Sequence, residues 1–210
     1  MSSNTKSFSS KEAVRFGWET TKKNFWFLVG ITAVMGLIQF IPGFLESYLR
    51  DQEALLGVIN IIGYVVSLVL SLGLIKIVLA FYDKRKPQFS ELFAFDPKLI
   101  LRYFLATLLY SLIVLLGFIL LIIPGVYLSI KYGFYPYLIV DKNMGVFESF
   151  SKSGEIAKGN IWNLFVFGLL LMLIAIVGIV ALLVGLLVAL PVISLAEVYV
   201  YRKLVSSSSK

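Results

Sequence analysis

Residues 99–121 read LILRYFLATLLYSLIVLLGFILL, with Arg102 as the only charge and that one close to an end. A run of 18 or more such residues is long enough to cross a hydrocarbon core about 30 Å thick, and it offers no polar face to water. The stretch from Ile161 to Tyr201 is longer still. At about 1.5 Å per residue a single helix there would reach roughly 60 Å, twice the core, so the chain folds back, most simply around Gly178–Gly185. Leu99–Val140 poses the same problem, and Pro124-Gly125 marks its turn. Pro124 suits the first turn of the returning helix, where its missing N–H would be unpaired anyway. Apolar residues make up 59% of the 210 and charged residues 15%, against roughly 25% charged in a soluble domain. Spans are expected at 25–45, 54–82, 99–121, 123–140, 161–179 and 183–201. The fold class is an all-α polytopic membrane protein with six transmembrane helices.

The flanks set the orientation. With six spans, Lys6, Lys11, Arg15, Lys22, Lys23, Lys84, Arg85, Lys86, Lys98, Arg102, Lys142, Lys152, Lys158, Arg202, Lys203 and Lys210 share one side. The other side has only Arg50, beside Glu46, Asp51 and Glu53. Basic flanks face the cytoplasm, so both termini are expected there. The N-terminal segment has no apolar stretch ending in a small-residue cleavage site, hence no removable signal peptide. This bias also accounts for the formal charge of +7 without nucleic acid. The partners expected are the lipid bilayer, anionic headgroups on the cytoplasmic face, and another membrane protein.

A shift of 136 aligns Lys11–Leu28 with Phe147–Leu164. Glu12/Glu148, Glu19/Glu155, Lys22/Lys158, Asn24/Asn160, Trp26/Trp162 and Leu28/Leu164 are identical. Each copy has a stripe at helical spacing: Val14, Trp18, Thr21 and Phe25, then Phe150, Gly154, Ala157 and Ile161. Ser9 and Glu12 have the spacing of a capping box. Phe89-Ser-Glu-Leu-Phe93 gives a weaker third copy. The chain therefore divides into a flexible tail (1–8), one membrane domain (9–204) and a flexible tail (205–210). The domain holds three parallel units, at about 9–82, 88–140 and 146–204. Each is a cytoplasmic amphipathic helix followed by a helical hairpin, the lead-in helix lying in the headgroup plane. Trp26, Trp162, Tyr82, Tyr103 and Tyr201 fit an interfacial aromatic belt.

An ordered set of motifs runs through residues 10–205. It comprises the Glu-x6-Glu-x2-Lys-x-Asn-x-Trp lead-in, Leu72-Gly-Leu-Ile-Lys-Ile77, Phe89-Ser-Glu-Leu-Phe93, Leu120-Leu-Ile-Ile-Pro-Gly125, and Phe147-Glu-Ser-Phe-Ser-Lys-Ser153 leading to Lys158-Gly-Asn160. Together they resemble bacterial integral membrane proteins grouped with the glycerophosphoryl diester phosphodiesterase membrane domain and related domains of unknown function. The resemblance implies a multi-pass protein of the bacterial cytoplasmic membrane. It carries over no catalytic residues, because the catalytic phosphodiesterase in that group is a separate fused domain.

With no cysteine and no histidine, thiolate chemistry, His-based acid–base catalysis and His–metal sites are excluded. No catalytic, cofactor or metal residues are expected. Three ionisable residues interrupt apolar runs: Lys76, Lys131 and Glu197. Each is costly at membrane depth, about 2.5–3.5 kcal/mol on insertion scales. Lys76 is near enough to Asp83 to snorkel, and Glu197 near enough to Arg202 or Lys203 to pair. Lys131, flanked by Tyr127 and Tyr135 with Pro136 breaking the ladder beyond, falls near the middle of the fourth span. Glu197 is its partner by elimination. Asn60 is expected to bond between helices, while Ser67, Ser71, Gly178, Ala181 and Gly185 let helices approach. The function expected is a non-enzymatic membrane module, scaffold or envelope accessory factor. A small-molecule or ion transporter using Lys131 is the alternative, and an intramembrane enzyme comes third.

Overall fold

The structure, a computed structural model, describes residues 8–49, 52–93, 96–181 and 184–208. Those residues are helical throughout, joined by short turns, with no strand among them. Helix α1 (Ser10–Lys23) begins where Ser9 Oγ accepts a bond from the Glu12 amide at 3.3 Å. Only this half of the capping box forms, because the Glu12 carboxylate accepts instead from the Tyr199 hydroxyl at 2.9 Å. A kink at Asn24, whose side-chain amide donates to the Thr20 carbonyl, leads into α2 (Phe25–Tyr48). Helix α3 (Glu53–Tyr82) returns, and a 3-10 turn (Phe89–Leu92) follows. Asp96 caps α4 (Pro97–Leu120) and Pro97 fills its first position, a pairing that suits a helix start.

The chain reverses at Leu121, three residues before Pro124, into α5 (Ile122–Tyr132). A Cβ on Gly117 would stand 2.9 Å from the Gly125 Cα, so the two glycines are what lets α4 and α5 lie this close. Then come α6 (Tyr135–Lys142), ended by Asn143 in the left-handed conformation (φ 53°), and α7 (Val146–Ala157). Helices α8 (Ile161–Val180) and α9 (Leu186–Ser208) complete the chain. Gly178 opposes Ala189 across their turn, where an added Cβ would come within 2.9 Å of the alanine methyl.

Four of these helices, α2, α3, α4 and α8, are long and apolar enough to cross a membrane. The six expected spans are thus matched in type by four. The fourth expected span, 123–140, is divided into α5 and α6, of 11 and 8 residues. The sixth is α9, which carries Glu197, Arg202 and Lys203 and continues through Ser208, into the stretch expected to be tail. Arg50, Asp51, Leu182, Leu183, Lys6, Lys210 and the rest of 1–7 and 209–210 lie outside the described residues.

Packing is concentrated at one end. In α3 every buried residue lies at or beyond Leu68, whereas Leu55, Val58, Ile61, Ile62 and Tyr64 are exposed. At 30 residues, α3 is about 45 Å long, and so exceeds a hydrocarbon core of about 30 Å by several turns. The packed end is also the end bearing the charges. There the hydrophobic effect acts, while lipid-facing stretches gain nothing from leaving one apolar medium for another.

The face that α1 presents to α9 is Ala13, Gly17 and Thr21, all buried. This corrects the expected stripe by one residue: Trp18 is 54% exposed and Phe25 is exposed as well. Small residues win because an added Cβ at Gly17 would fall on the Val192 carbonyl oxygen. Gly17→Val should therefore lower the melting temperature in detergent, by about 1–3 kcal/mol of overpacking. Gly36→Ala, which meets nothing within 4 Å, should leave it unchanged. Equal behaviour of the two in a thermal melt would mean α1 is not held against α9.

Candidate functional site

The charged end converges on Arg202. Its Nη1 donates to Asp141 Oδ2 at 2.9 Å and its Nη2 to Asp83 Oδ2 at 2.6 Å. Asp83 closes α3, Asp141 lies in the last turn of α6, and Arg202 belongs to α9. One planar guanidinium thereby ties the ends of α3 and α6 to α9, the geometry for which arginine is suited and lysine is not. The Tyr201 hydroxyl also donates to Asp141 at 2.9 Å, and Lys142 stands 3.4 Å away. Arg202 and Asp141 side chains are only 17% and 11% exposed, so solvent screens this pair far less than a surface pair.

Below the clamp the bonds between helices are made by tyrosines. Tyr137 donates to Glu197 Oε2 at 3.0 Å, Tyr135 to Thr107 Oγ1 at 3.0 Å, and Tyr110 to the Ser129 carbonyl at 3.1 Å. Glu197 is thus held by a neutral hydroxyl on α6. It pairs with neither Arg202, which is taken by the two aspartates, nor Lys203, whose ammonium lies 5.4 Å from the Tyr199 ring centroid.

Lys131 is not brought to Glu197. Its Nζ lies 5.1 Å from the Tyr132 ring centroid and 5.8 Å from that of Tyr127, and its Cε would be 3.3 Å from a Cβ on Gly154 of α7. It makes no ion pair with any of the described residues. Lys131 stands in the last turn of a short helix and not within one continuous 123–140 helix. Helix α5 stops at Tyr132, and Pro136 begins α6 rather than interrupting a continuous span.

Ser153, fully buried on α7, mends that break: its hydroxyl donates to the Lys131 carbonyl at 3.0 Å and accepts from the Phe134 amide at 3.1 Å. Backbone groups freed by a helix break need such a partner wherever water cannot reach them. This residue was missed in the sequence, where a serine in a polar helix looks like a solvated one.

The remaining expected positions are mixed. Lys76 lies beside the 3-10 turn, with Glu91 as its neighbouring charge, one turn beyond Gly73, whose face is closed by the backbone of Leu92. Asn60 makes no interhelical bond among the described residues. It is exposed and lines a groove of about 660 Å³ between α3 and α4. Trp26 and Trp162 are 84% and 72% exposed, as belt residues would be. Tyr103 and Tyr201 are buried and do not belong to that belt, since protein covers their rings.

Comparison with family models, with curated proteins and with solved structures finds no match. The site therefore rests on geometry alone. Its charges and hydroxyls join helix to helix, and no three metal-ligating side chains cluster among the described residues.

Proposed function

We propose that the chain is a non-enzymatic membrane module. It makes six helical passes as three hairpin units, with both termini cytoplasmic, and offers its clamped cytoplasmic end to another membrane protein. The observation that carries this reading is the position of α9, which packs against α1, α2, α3, α7 and α8. Through Arg202 it also holds the ends of α3 and α6. Transporters of the repeat type work by rocking one bundle against another about a central site. A helix bonded to all three units leaves no free half to rock, which favours a platform over the transporter alternative.

Register supports the repeat. Glu12 and Glu148 both occupy the third position of their helices, and Trp26 and Trp162 the second position of the helices that follow. The resemblance to glycerophosphoryl diester phosphodiesterase membrane domains fits a membrane part whose partner carries the activity.

Two measurements test the reading. Since the chain has no cysteine, single cysteines report orientation without background. A membrane-impermeant maleimide should label Ser47→Cys in intact cells but neither Ser90→Cys nor Ser206→Cys, and the reverse pattern would overturn the orientation. Purification from native membranes followed by mass spectrometry should recover a membrane protein in stoichiometric amount. A lone chain carrying a bound solute would instead favour transport.

A further inference from the structure

Between α5 and α8 runs an apolar groove of about 610 Å³, lined by Ile122, Val126, Tyr127 and Ile130 on one side and Trp162 and Phe165 on the other. Its walls expose large apolar side chains, including Ile122, Ile123, Tyr127 and Trp162, and contribute almost no polar surface. In a bilayer such a groove is filled by hydrocarbon. A charge stands beside it. The Lys131 ammonium lies by the ring of Tyr127, a wall residue, and one residue beyond Ile130, another.

That ammonium makes no ion pair with any of the described residues. Glu155, the acid next to Gly154 on α7, is bonded by Lys152 at 2.8 Å. Two tyrosine rings and the Gly154 backbone crowd its stem and restrict where the charge can point. Helix α7 bears Glu148, Lys152 and Glu155 and belongs to the water-facing end, so Lys131 lies at headgroup depth. Trp162 marks the same level, two residues into α8 and largely exposed. An apolar slot with, at its headgroup end, a cation that no described residue pairs matches an acyl chain joined to an anionic headgroup, and in a bilayer the abundant anion of that kind is a phosphate.

We propose that this groove is a binding site for an anionic glycerophospholipid, with an acyl chain along α5 and the phosphate against Lys131. It requires only that α8 crosses a bilayer, and holds whether or not the module reading above is right. A generic attraction of the basic face for acidic membranes would spread over all the exposed lysines; this site concentrates it on one.

The test is native mass spectrometry of the full chain in mild detergent, offered dioleoyl-phosphatidylglycerol or dioleoyl-phosphatidylcholine at equal concentration. The wild-type chain should retain one phosphatidylglycerol in preference to phosphatidylcholine, by about fivefold, the factor for one lysine at a lipid surface. Lys131→Gln should abolish the preference, Lys131→Arg should keep it, and Lys86→Gln, a change at an exposed loop lysine, should not alter it. Val126→Trp, which fills the groove and leaves the charge, should lower retention of both lipids. Sodium phosphate should not displace the lipid. The proposal fails if Lys131→Gln keeps the preference, if Lys86→Gln loses as much, or if free phosphate competes. If Lys131→Gln does not fold, Val126→Trp decides alone: wild-type retention in that variant overturns the site.

Discussion

The arrangement of this protein depends on one guanidinium. Arg202 reaches carboxylates from two other helices, one at the end of α3 and one in the last turn of α6. Helices packed only by apolar contact can slide by a turn at modest cost, because one leucine-rich face resembles another. A forked ion pair cannot be satisfied in two registers. The interaction is not free of cost. Charges this poorly exposed give up hydration, and the Arg202 Nε is buried without a partner among the described residues, so net stability from the cluster is modest while specificity is large. Tyr201 supports the same aspartate from the neighbouring position on α9.

From that fixed end the rest follows in order of decreasing constraint. The packed core, including Ile77, Val78, Leu138, Ile156, Ala196 and Val200, sits beside the charges. Further along, the pairs α2–α3, α4–α5 and α8–α9 approach through small residues: Gly63 under Pro42, Gly117 against Gly125, Gly178 against Ala189. Between them the helices stand apart and leave grooves, which in lipid are neither voids nor defects. Bilayer chains fill what protein side chains do not.

Much of this was legible in the chain. The apolar runs predicted helices at the positions where α2, α3, α4 and α8 stand, because nothing but a helix satisfies the backbone along such a stretch in lipid. Ser9 announced the start of α1. The break between α5 and α6 was legible only through Pro136, which begins α6; Tyr132-Gly-Phe-Tyr135 is as apolar as its surroundings, and the group that mends the break, Ser153, comes from another helix. Pairing Lys131 with Glu197 failed because it counted only charges as partners for charges, and a tyrosine hydroxyl served instead. The face of α1 was misplaced for a similar reason. Hydrophobicity ranks Trp18 first, while close packing on α9 selects Gly17.

The central claim is that the charged end holds three helices in register, and a double-mutant cycle on Arg202 and Asp141 measures it most directly. Arg202→Met and Asp141→Asn, singly and together, would be compared by reversible unfolding in detergent micelles. The account predicts that each single change costs about 3 kcal/mol by stranding a poorly hydrated charge. The double variant should then lose less than the sum, with a coupling of roughly 1–3 kcal/mol. Strict additivity, with each single change costing no more than an exposed pair at about 0–1 kcal/mol, would contradict it.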